Sequence, residues 1–362
     1  MKTAMRAIAA HPDLQLQLVV GGALLNRQAD ILDAIGGEFA IAGTLDYMLA
    51  SETPGAIGAS AALCLLRATD LIERLKPDVL MVIADRYESL SLAQAGLLTN
   101  CRIAHLEGGE VSGSIDERIR HAVTKLAHYH LASSKEAAER IVRLGEGAAS
   151  VAVVGSPSFD VLRDADQGGL RQLQKRLAAE PGIDITKPFL LVSQHPVVTE
   201  YVEAQAQYEV LVDAVQELKL PTVWIWPNND AGAQRVREPL ARLKASSHIP
   251  PVAVLAGIPI EEYGAALGRA ACLIGNSSSG IREAGFLGTP VVNIGSRQTG
   301  RERGVNVIDV PCEAAAIVAT VRKQIGRGRY EPDLRYGDGT AGTKIAAFLA
   351  RYWPPLDKTI TY

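Results

Sequence analysis

The sequence predicts an α/β protein of two domains, and three observations predict it. A length of 362 residues, at about 150 residues per domain, asks for two. Short apolar runs alternate with longer amphipathic stretches, the pattern of parallel sheets joined by right-handed helical crossovers. The alternation then restarts near the middle of the chain. In the first half, strands are expected over Leu14–Val20, Glu38–Ala42, Asp78–Ala84, Arg102–Leu106, Tyr129–Ala132 and Val151–Gly155. In the second they are expected over Phe189–Ser193, Thr222–Trp226, Val252–Leu255, Ala271–Ile274 and Pro290–Ile294. Most are largely apolar, and several are rich in Val and Ile, as strands covered on both faces are. Leu14–Val20 alternates Leu with Gln before its two valines and reads as half exposed. Helices fill the spaces between, among them Ile57–Lys76, Ser89–Leu98, Asp116–His128 and Val202–Leu218. The domains are read as 1–163 and 164–342, with Asp164–Lys187 as the linker region. A C-terminal segment, 343–362, carries a last helix near Thr343–Tyr352 that packs on one domain or the other. Two such domains leave a cleft between the carboxyl ends of their strands, where open α/β sheets bind ligands.

Composition removes several classes. Hydrophobic residues at 48% and charged residues at 21% exclude a disordered chain, which lacks the apolar content to offset its entropy. The 37 Lys+Arg against 40 Asp+Glu leave a net charge of −3, unlike a basic nucleic-acid protein. The four cysteines, Cys64, Cys101, Cys272 and Cys312, lie far apart with no C-x-x-C. That argues against a disulfide framework or zinc ribbon and for a reducing cytoplasm. No uninterrupted apolar run reaches the roughly 18 residues of a bilayer span, and the N-terminus lacks a signal-peptide core. No membrane or nucleic-acid partner is expected.

The strongest local signal is Cys272–Ala284, CLIGNSSSGIREA. An apolar strand runs into small hydroxyl residues and then a helix, placing Ser277, Ser278 and Ser279 at a helix N-terminus, where free N–H groups and the dipole favour an anion. The plain alternative is a serine cap with no ligand. Glu283, on the same expected helix, suits the two hydroxyls of a ribose, or solvent. A second signal is acidic: Asp85 and Glu107 close successive strands, and Asp116 opens the following helix. Successive carboxyl ends of a parallel sheet share one edge, so Asp85 and Glu107 should be neighbours. Adjacent carboxylates raise each other's proton affinity and can serve as base and acid. Asp116 alternatively belongs to surface i,i+4 pairs, Asp116–Arg120 and Glu117–His121. Arg86 faces a phosphate or a carboxylate. His195 closes a strand of the second domain as a phosphate ligand, an acid–base group or a structural histidine. Pro227–Asp230 reads as a polar loop over a ligand, or a turn. His121, His128 and His130 do not have zinc-motif spacing, and no metal site is expected.

These segments together resemble the hydrolysing UDP-N-acetylglucosamine 2-epimerases of sialic-acid and related nonulosonate pathways. The carrying stretches are Asp85–Glu88, His105–Glu110, Asp116–His128, Gly275–Glu283 and Gly295–Glu302, within a match over about 8–350. Glu-Gly-Gly-Glu combined with Asp-Glu-x-Ile-Arg-His is similar to the hydrolysing branch; the non-hydrolysing branch reads Glu-Ala-Gly-x-Arg there. The resemblance implies two Rossmann-like domains facing across a cleft, the glycosyltransferase-B type, with UDP mainly on the C-terminal domain. It implies Ser277 and Ser278 on the diphosphate, Glu283 on the ribose, and Arg86 and Arg297 toward the nucleotide. Asp85, Glu107 and Asp116 match the family's catalytic acids and His195 its second-domain histidine. The implied reaction eliminates UDP across C1–C2, then adds water to give the free 2-epimer, N-acetylmannosamine or a relative. It needs no metal and no cofactor. The resemblance further implies a homo-oligomer. A glycosyltransferase of the same fold and a degenerate nucleotide-sugar binder are the alternatives, and three acids on the first domain's edge set the epimerase apart from a transferase.

Two departures stand out. Family members begin with a strand and a Gly-[Ser/Thr]-Arg-Ala-Asp-like loop ahead of the helix that here is Ala4–Ala10. The expectation is therefore a natural start roughly 15–20 residues upstream, the length of one strand and loop. Without that strand the first sheet must re-pair its neighbours, borrow a strand or lose stability. Where the family reads Gly-Met-His-Leu, this chain reads Gly22-Ala23-Leu24-Leu25, so leucine replaces a candidate acid–base histidine. A 2,4-diacetamido sugar is therefore an open substrate.

Overall fold

The computed structural model describes the chain except residues 28, 50–52, 113–114, 164–166, 179–181, 201, 228–232, 246–249, 256 and 362. The expected Asn228–Asp230 loop lies outside the described residues. The chain divides into two compact units. The first is built from Met1–Val111, Ile115–Asp160 and Arg335–Tyr362, the second from Val161–Leu334.

In the first unit the elements run α1 (Lys2–Ala10), β1 (Leu18–Gly21), α2 (Ala23–Arg27), α3 (Ala29–Gly36), β2 (Ile41–Leu45), α4 (Pro54–Leu75), β3 (Val79–Ile83), α5 (Tyr87–Leu98), β4 (Arg102–Leu106), α6 (Asp116–Leu126), β5 (Tyr129–Ala132), α7 (Lys135–Arg143) and β6 (Val151–Val153). Among the described residues the strands form two separate parallel sheets, β1-β2 and β3-β4-β5-β6. The neighbours on either side of the expected gap do not re-pair: β1 bonds β2 and β3 bonds β4. The first expected strand also shortens, because Leu14–Gln17 stays irregular and pairing starts at Leu18.

Local chemistry sets the helix ends. The Thr53 side chain accepts from Ala56 N–H ahead of Pro54 and caps α4, and Ser134 does the same for α7, satisfying donors the first turn leaves open. By length and composition α4 is apolar enough to cross a bilayer, although Arg67 and Asp70 interrupt its apolar run. Here it packs with Cys64, Ala68, Leu71 and Ile72 in a core shared with Leu45, Tyr47 and Ala95.

The C-terminal helix joins the first unit. After β6, α8 (Pro157–Arg163) presents Asp160, whose carboxylate accepts from Ala341 and Gly342 N–H at 2.8 and 2.7 Å and so caps the last helix, Ala341–Arg351. That helix packs Ile345 and Phe348 against Ala4, Leu106, Tyr129 and Leu131. The tail beyond it is tied down by polar contacts. Arg102 Nε donates to Pro354 O at 2.8 Å and its guanidinium lies 4.0 Å from the Trp353 ring centroid. Lys358 Nζ reaches Glu146 Oε2 at 2.7 Å.

The second unit contains α9 (Gln167–Leu177), β7 (Leu190–Ser193), α10 (Ala204–Leu218), β8 (Thr222–Ile225), α11 (Arg237–Ala245), β9 (Val252–Leu255), α12 (Ile260–Leu267), β10 (Cys272–Gly275), α13 (Ser278–Ile281), α14 (Glu283–Phe286), β11 (Val291–Ile294), β12 (Val307–Val310) and α15 (Ala314–Arg327). Its parallel sheet has the order β12-β11-β10-β7-β8-β9. Alternate residues serve the two faces: Leu190, Val192, Trp224, Cys272 and Ile274 join one core, and Phe189, Leu191, Val223 and Leu273 the other. This explains the continuous apolar runs. The stretch expected as a linker contains α9, whose Leu173 and Leu177 are buried with Ile185 and Phe189. Strand β12, with half its residues partly exposed, escaped the sequence reading.

Candidate active site

Parallel pairing carries the acids of the first unit to one sheet edge. Ile83 pairs with Leu106 at the ends of β3 and β4, so Asp85 and Glu107 follow adjacent strands. The backbone there is strained: Ala84 and Glu107 lie at φ of 56° and 64°. For residues with a Cβ, such conformations persist where surrounding structure fixes them, and they concentrate at functional sites. Ala84 N–H bonds Leu106 O at 2.8 Å and Glu107 N–H bonds Leu131 O at 3.0 Å. Gly109, at φ +76°, lies where an added Cβ would come within 2.3 Å of Ala137 O, so the loop requires glycine. Glu107 is buried and its Oε1 accepts from Ser156 Oγ at 2.8 Å.

The residue that gathers this edge is Arg120. Its side chain is only 1% exposed, and Nη2 pairs with Asp85 Oδ2. Nη1 donates to Glu110 O at 2.8 Å and lies 3.9 Å from Glu117 Oε2. One guanidinium thus ties the segment after β3 to the segment after β4. Asp116 lies one turn away on the same helix. One of the two sequence alternatives put Arg120 in a surface pair with Asp116; the structure buries it against Asp85. The other expected surface pair is present, with His121 Nε2 3.3 Å from Glu117 Oε1. The available signal was periodicity, because Arg120 stands three and four residues before the buried Val123 and Thr124. Arg86 pairs with Glu88 at 2.9 Å and is 40% exposed on its side chain, leaving it accessible to a ligand.

A second unforeseen residue is His105. It is fully buried; Nε2 donates to Ala84 O at 2.9 Å and Nδ1 lies 3.1 Å from Thr124 Oγ1. Those contacts define a neutral ring that holds the peptide preceding Asp85. Burial pushes its pKa down to about 4 against the bonding of Ala84 O. Nearby, burial alone would raise the Glu146 carboxyl, but His130, Lys125 and Lys358 outweigh it and hold it at about 2. His130 and His128 are bonded to Glu146 and Leu356 O respectively.

In the second unit, β7, β10 and β11 are neighbours, with Gly275 paired to Ser193 on one side and Asn293 on the other. His195, Ser277 and Arg297 therefore emerge from one edge, two or three residues past their strands. Gly275 has φ +136°, and a Cβ there would meet Ser193 O at 2.1 Å; only glycine brings the serine turn this close to β7. Ser277 caps α13, its Oγ accepting from Ser279 N–H at 3.3 Å and lying 2.9 Å from Ser279 Oγ. The cap itself is thus present at Ser277. Ser278 is the first residue of α13, and Tyr263 OH meets Ser279 Oγ at 2.5 Å. Glu283 does not continue that helix: the chain breaks at Arg282, with φ −87° and ψ −72°, and Glu283 opens α14, buried beside Arg282 at 3.4 Å. His195 is buried, and Arg297 Nη1 donates to Asn276 O at 3.2 Å. Leu24, expected at the family's histidine position, sits half-buried in α2.

Parallel α/β units with polar groups gathered at their strand ends define a protein of the two-Rossmann, glycosyltransferase-B-like class. The fold is similar to that of UDP-GlcNAc 2-epimerase from Neisseria meningitidis bound to UDP-GlcNAc, with TM-score 0.78, 17% identity and 97% of each chain covered. It is also similar to the Methanocaldococcus jannaschii UDP-GlcNAc 2-epimerase in complex with UDP-GlcNAc and UDP, with TM-score 0.72, 16% identity and 93% and 99% of the two chains covered. The UDP-N-acetylglucosamine 2-epimerase family model matches residues 6–350, and the chain belongs to that family. Among curated relatives, the UDP-N,N'-diacetylbacillosamine 2-epimerase (hydrolyzing) of Legionella pneumophila is 31% identical over 353 residues, covering 96% of this chain and 91% of the relative.

The buried histidine predicts an acid response. His105 has a folded pKa of about 4 against an ordinary 6.5, so its contribution to stability is complete above 6.5 and is lost as pH falls through 4. Between pH 7 and 4.5 this amounts to roughly 2–3 kcal/mol. His105→Gln should flatten the fall of the urea midpoint over that range. Parallel curves for the two proteins would show that His105 does not titrate as its burial requires.

Proposed function

We propose that this protein is a hydrolysing epimerase: it converts UDP-N-acetylglucosamine, or a related UDP-2-acetamido sugar, and water to UDP and the free 2-epimer. The observation that carries the reading is the placement of Asp85 and Glu107 after adjacent strand ends, beside the strained backbone of Ala84 and Glu107, with Arg120 locking Asp85 to the edge. The "(hydrolyzing)" activity named for the Legionella relative supports the same branch.

The chemistry explains the division of labour. A carboxylate at the first unit's edge takes the proton from C2. The C2–H bonding pair becomes the C1–C2 double bond, and the C1–O bonding pair leaves with UDP. The proton at C2 is only weakly acidic, so departure of the diphosphate must lower the barrier. Ser277, Ser278, Arg297, His195 and Arg86 meet the charge that accumulates there. Glu283 accepts the ribose hydroxyls. Water then adds its hydroxyl to C1, and C2 takes a proton on the opposite face, which inverts that centre. Asp85, Glu107 and Asp116 supply the acid and base of both steps. No cofactor enters the reaction. The four free cysteines suit a reducing cytoplasm, where the protein is placed by this reading.

The sugar has a second reading. The Legionella relative is named for a diacetylated bacillosamine substrate, and Leu24 places an apolar side chain where histidine is usual. A UDP-2,4-diacetamido sugar is therefore the alternative substrate. Incubating the protein with each UDP-sugar alone, without acceptor, and identifying products by NMR tests the reading. UDP and a free 2-epimer are expected from one of them. Turnover only with an added acceptor would make the protein a transferase, and binding without turnover would make it a nucleotide-sugar binder.

Two substitutions should separate the roles. Glu107→Gln is expected to lower kcat by about 10²–10⁴-fold, the usual contribution of an acid–base group, while UDP affinity stays within a few-fold. Glu283→Ala should instead weaken UDP and abolish its preference over 2′-deoxy-UDP in titration calorimetry. Near-normal turnover in the first, or unchanged discrimination in the second, would remove that residue from its role.

A further inference from the structure

One residue between His195, Ser277 and Arg297 has no part in the chemistry above, yet it contacts two of their neighbourhoods and adjoins the third. Asn276 follows β10 directly and is only 1% exposed. Its side chain closes a two-bond ring with the backbone of His195: Nδ2 donates to His195 O at 2.8 Å, and Oδ1 accepts from His195 N–H at 2.7 Å. This is the exchange a strand partner makes. The register of β7 with β10 ends at Ser193 and Gly275, and Asn276 extends the pairing beyond it. Its own carbonyl meanwhile accepts from Gln298 Nε2 at 2.8 Å and Arg297 Nη1 at 3.2 Å. The next residue, Ser277, donates its N–H to Ser193 O at 3.2 Å.

Only a primary amide offers one donor and one acceptor side by side in a plane at this reach. Aspartate has the same shape but no donor, and would set a carboxylate oxygen against the carbonyl of His195. Glutamine is one methylene too long for the ring. The strand ends by themselves fix Ser193 and Gly275; past them Tyr208 OH holds Gln194 O, and this side chain bonds both backbone groups of His195.

We propose that Asn276 is a positioning residue for the reaction: it holds the backbone of His195 in register with the Ser277 turn and Arg297, so that the three reach one diphosphate together. The proposal rests on the reading of His195 as a substrate ligand, and its distinguishing property is coupling. A buried asparagine that served only the fold would weaken every ligand contact alike; a positioning asparagine makes the worth of His195 depend on it.

The test is a double-mutant cycle read as the dissociation constant of UDP. His195→Ala and, on the other unit, Arg86→Ala are each measured in the natural background and in Asn276→Asp. Asn276→Asp is expected to weaken UDP by about tenfold or more. In that background His195→Ala should then cost less than a third of its original fold-change, while Arg86→Ala costs the same in both. An undiminished cost of His195→Ala, or equal shrinkage of both costs, would overturn the positioning role. No effect of His195→Ala in the natural background would instead refute the reading of His195 and take the positioning role with it. If Asn276→Asp does not fold, Asn276→Ser, smaller and neutral, enters the same cycle with the same expected outcomes.

Discussion

An arginine that is 1% exposed and cannot shed its charge must find its counter-charge inside the protein, and Arg120 finds it in Asp85. A guanidinium keeps its proton inside proteins and has no neutral form to retreat to, and removing one partner of such a pair typically costs about 3–5 kcal/mol. The pairing has consequences in both directions along the chain. It draws the segment after β3 toward α6, and through Glu110 O it draws the segment after β4 to the same place. Asp116, at the start of that helix, is brought along. The acids proposed for proton transfer, Asp85 and Asp116, are therefore placed by the electrostatics that make the burial of Arg120 tolerable.

The sheets provide the frame on which this works. Parallel strands deliver every carboxyl end to one edge, and the residues immediately beyond are the ones proposed to carry the chemistry. In the first unit that edge is kept in register by strained residues, Ala84 and Glu107, and by the His105 bond to Ala84 O. In the second it is kept by Gly275, which permits the close approach to β7, and by the Asn276 ring with His195. One unit thus gathers carboxylates at its strand ends. The other gathers hydroxyls, N–H groups and cations suited to an anion.

Much of this was legible in the sequence. The strands Arg102–Leu106, Tyr129–Ala132 and Val252–Leu255 fall where apolar runs placed them, because strands buried on both faces carry an unbroken signal. The strand-end acids followed from topology alone. The misses have physical causes. β12 has mixed burial, and so no clean apolar run. α9 was hidden in a stretch rich in Gln, Lys and Arg, although Leu170, Leu173 and Leu177 give it helical spacing. The break at Arg282, which moves Glu283 onto its own helix, comes without a proline. Arg120 and Asn276 were missed for a shared reason. A charged residue on a polar helix and an asparagine in a turn are ordinarily solvated, and only long-range packing, to Asp85 in one case and His195 in the other, reveals their work.

Elimination breaks the C2–H and C1–O bonds, and isotope labelling reads both directly. Turnover of the accepted UDP-sugar in D₂O enriched with H₂¹⁸O should give a free sugar with deuterium at C2, inverted configuration there, and ¹⁸O at C1, beside unlabelled UDP. A released sugar that keeps its C2 proton and configuration would mean simple hydrolysis, and ¹⁸O in UDP would mean cleavage at phosphorus. Either result would contradict the account.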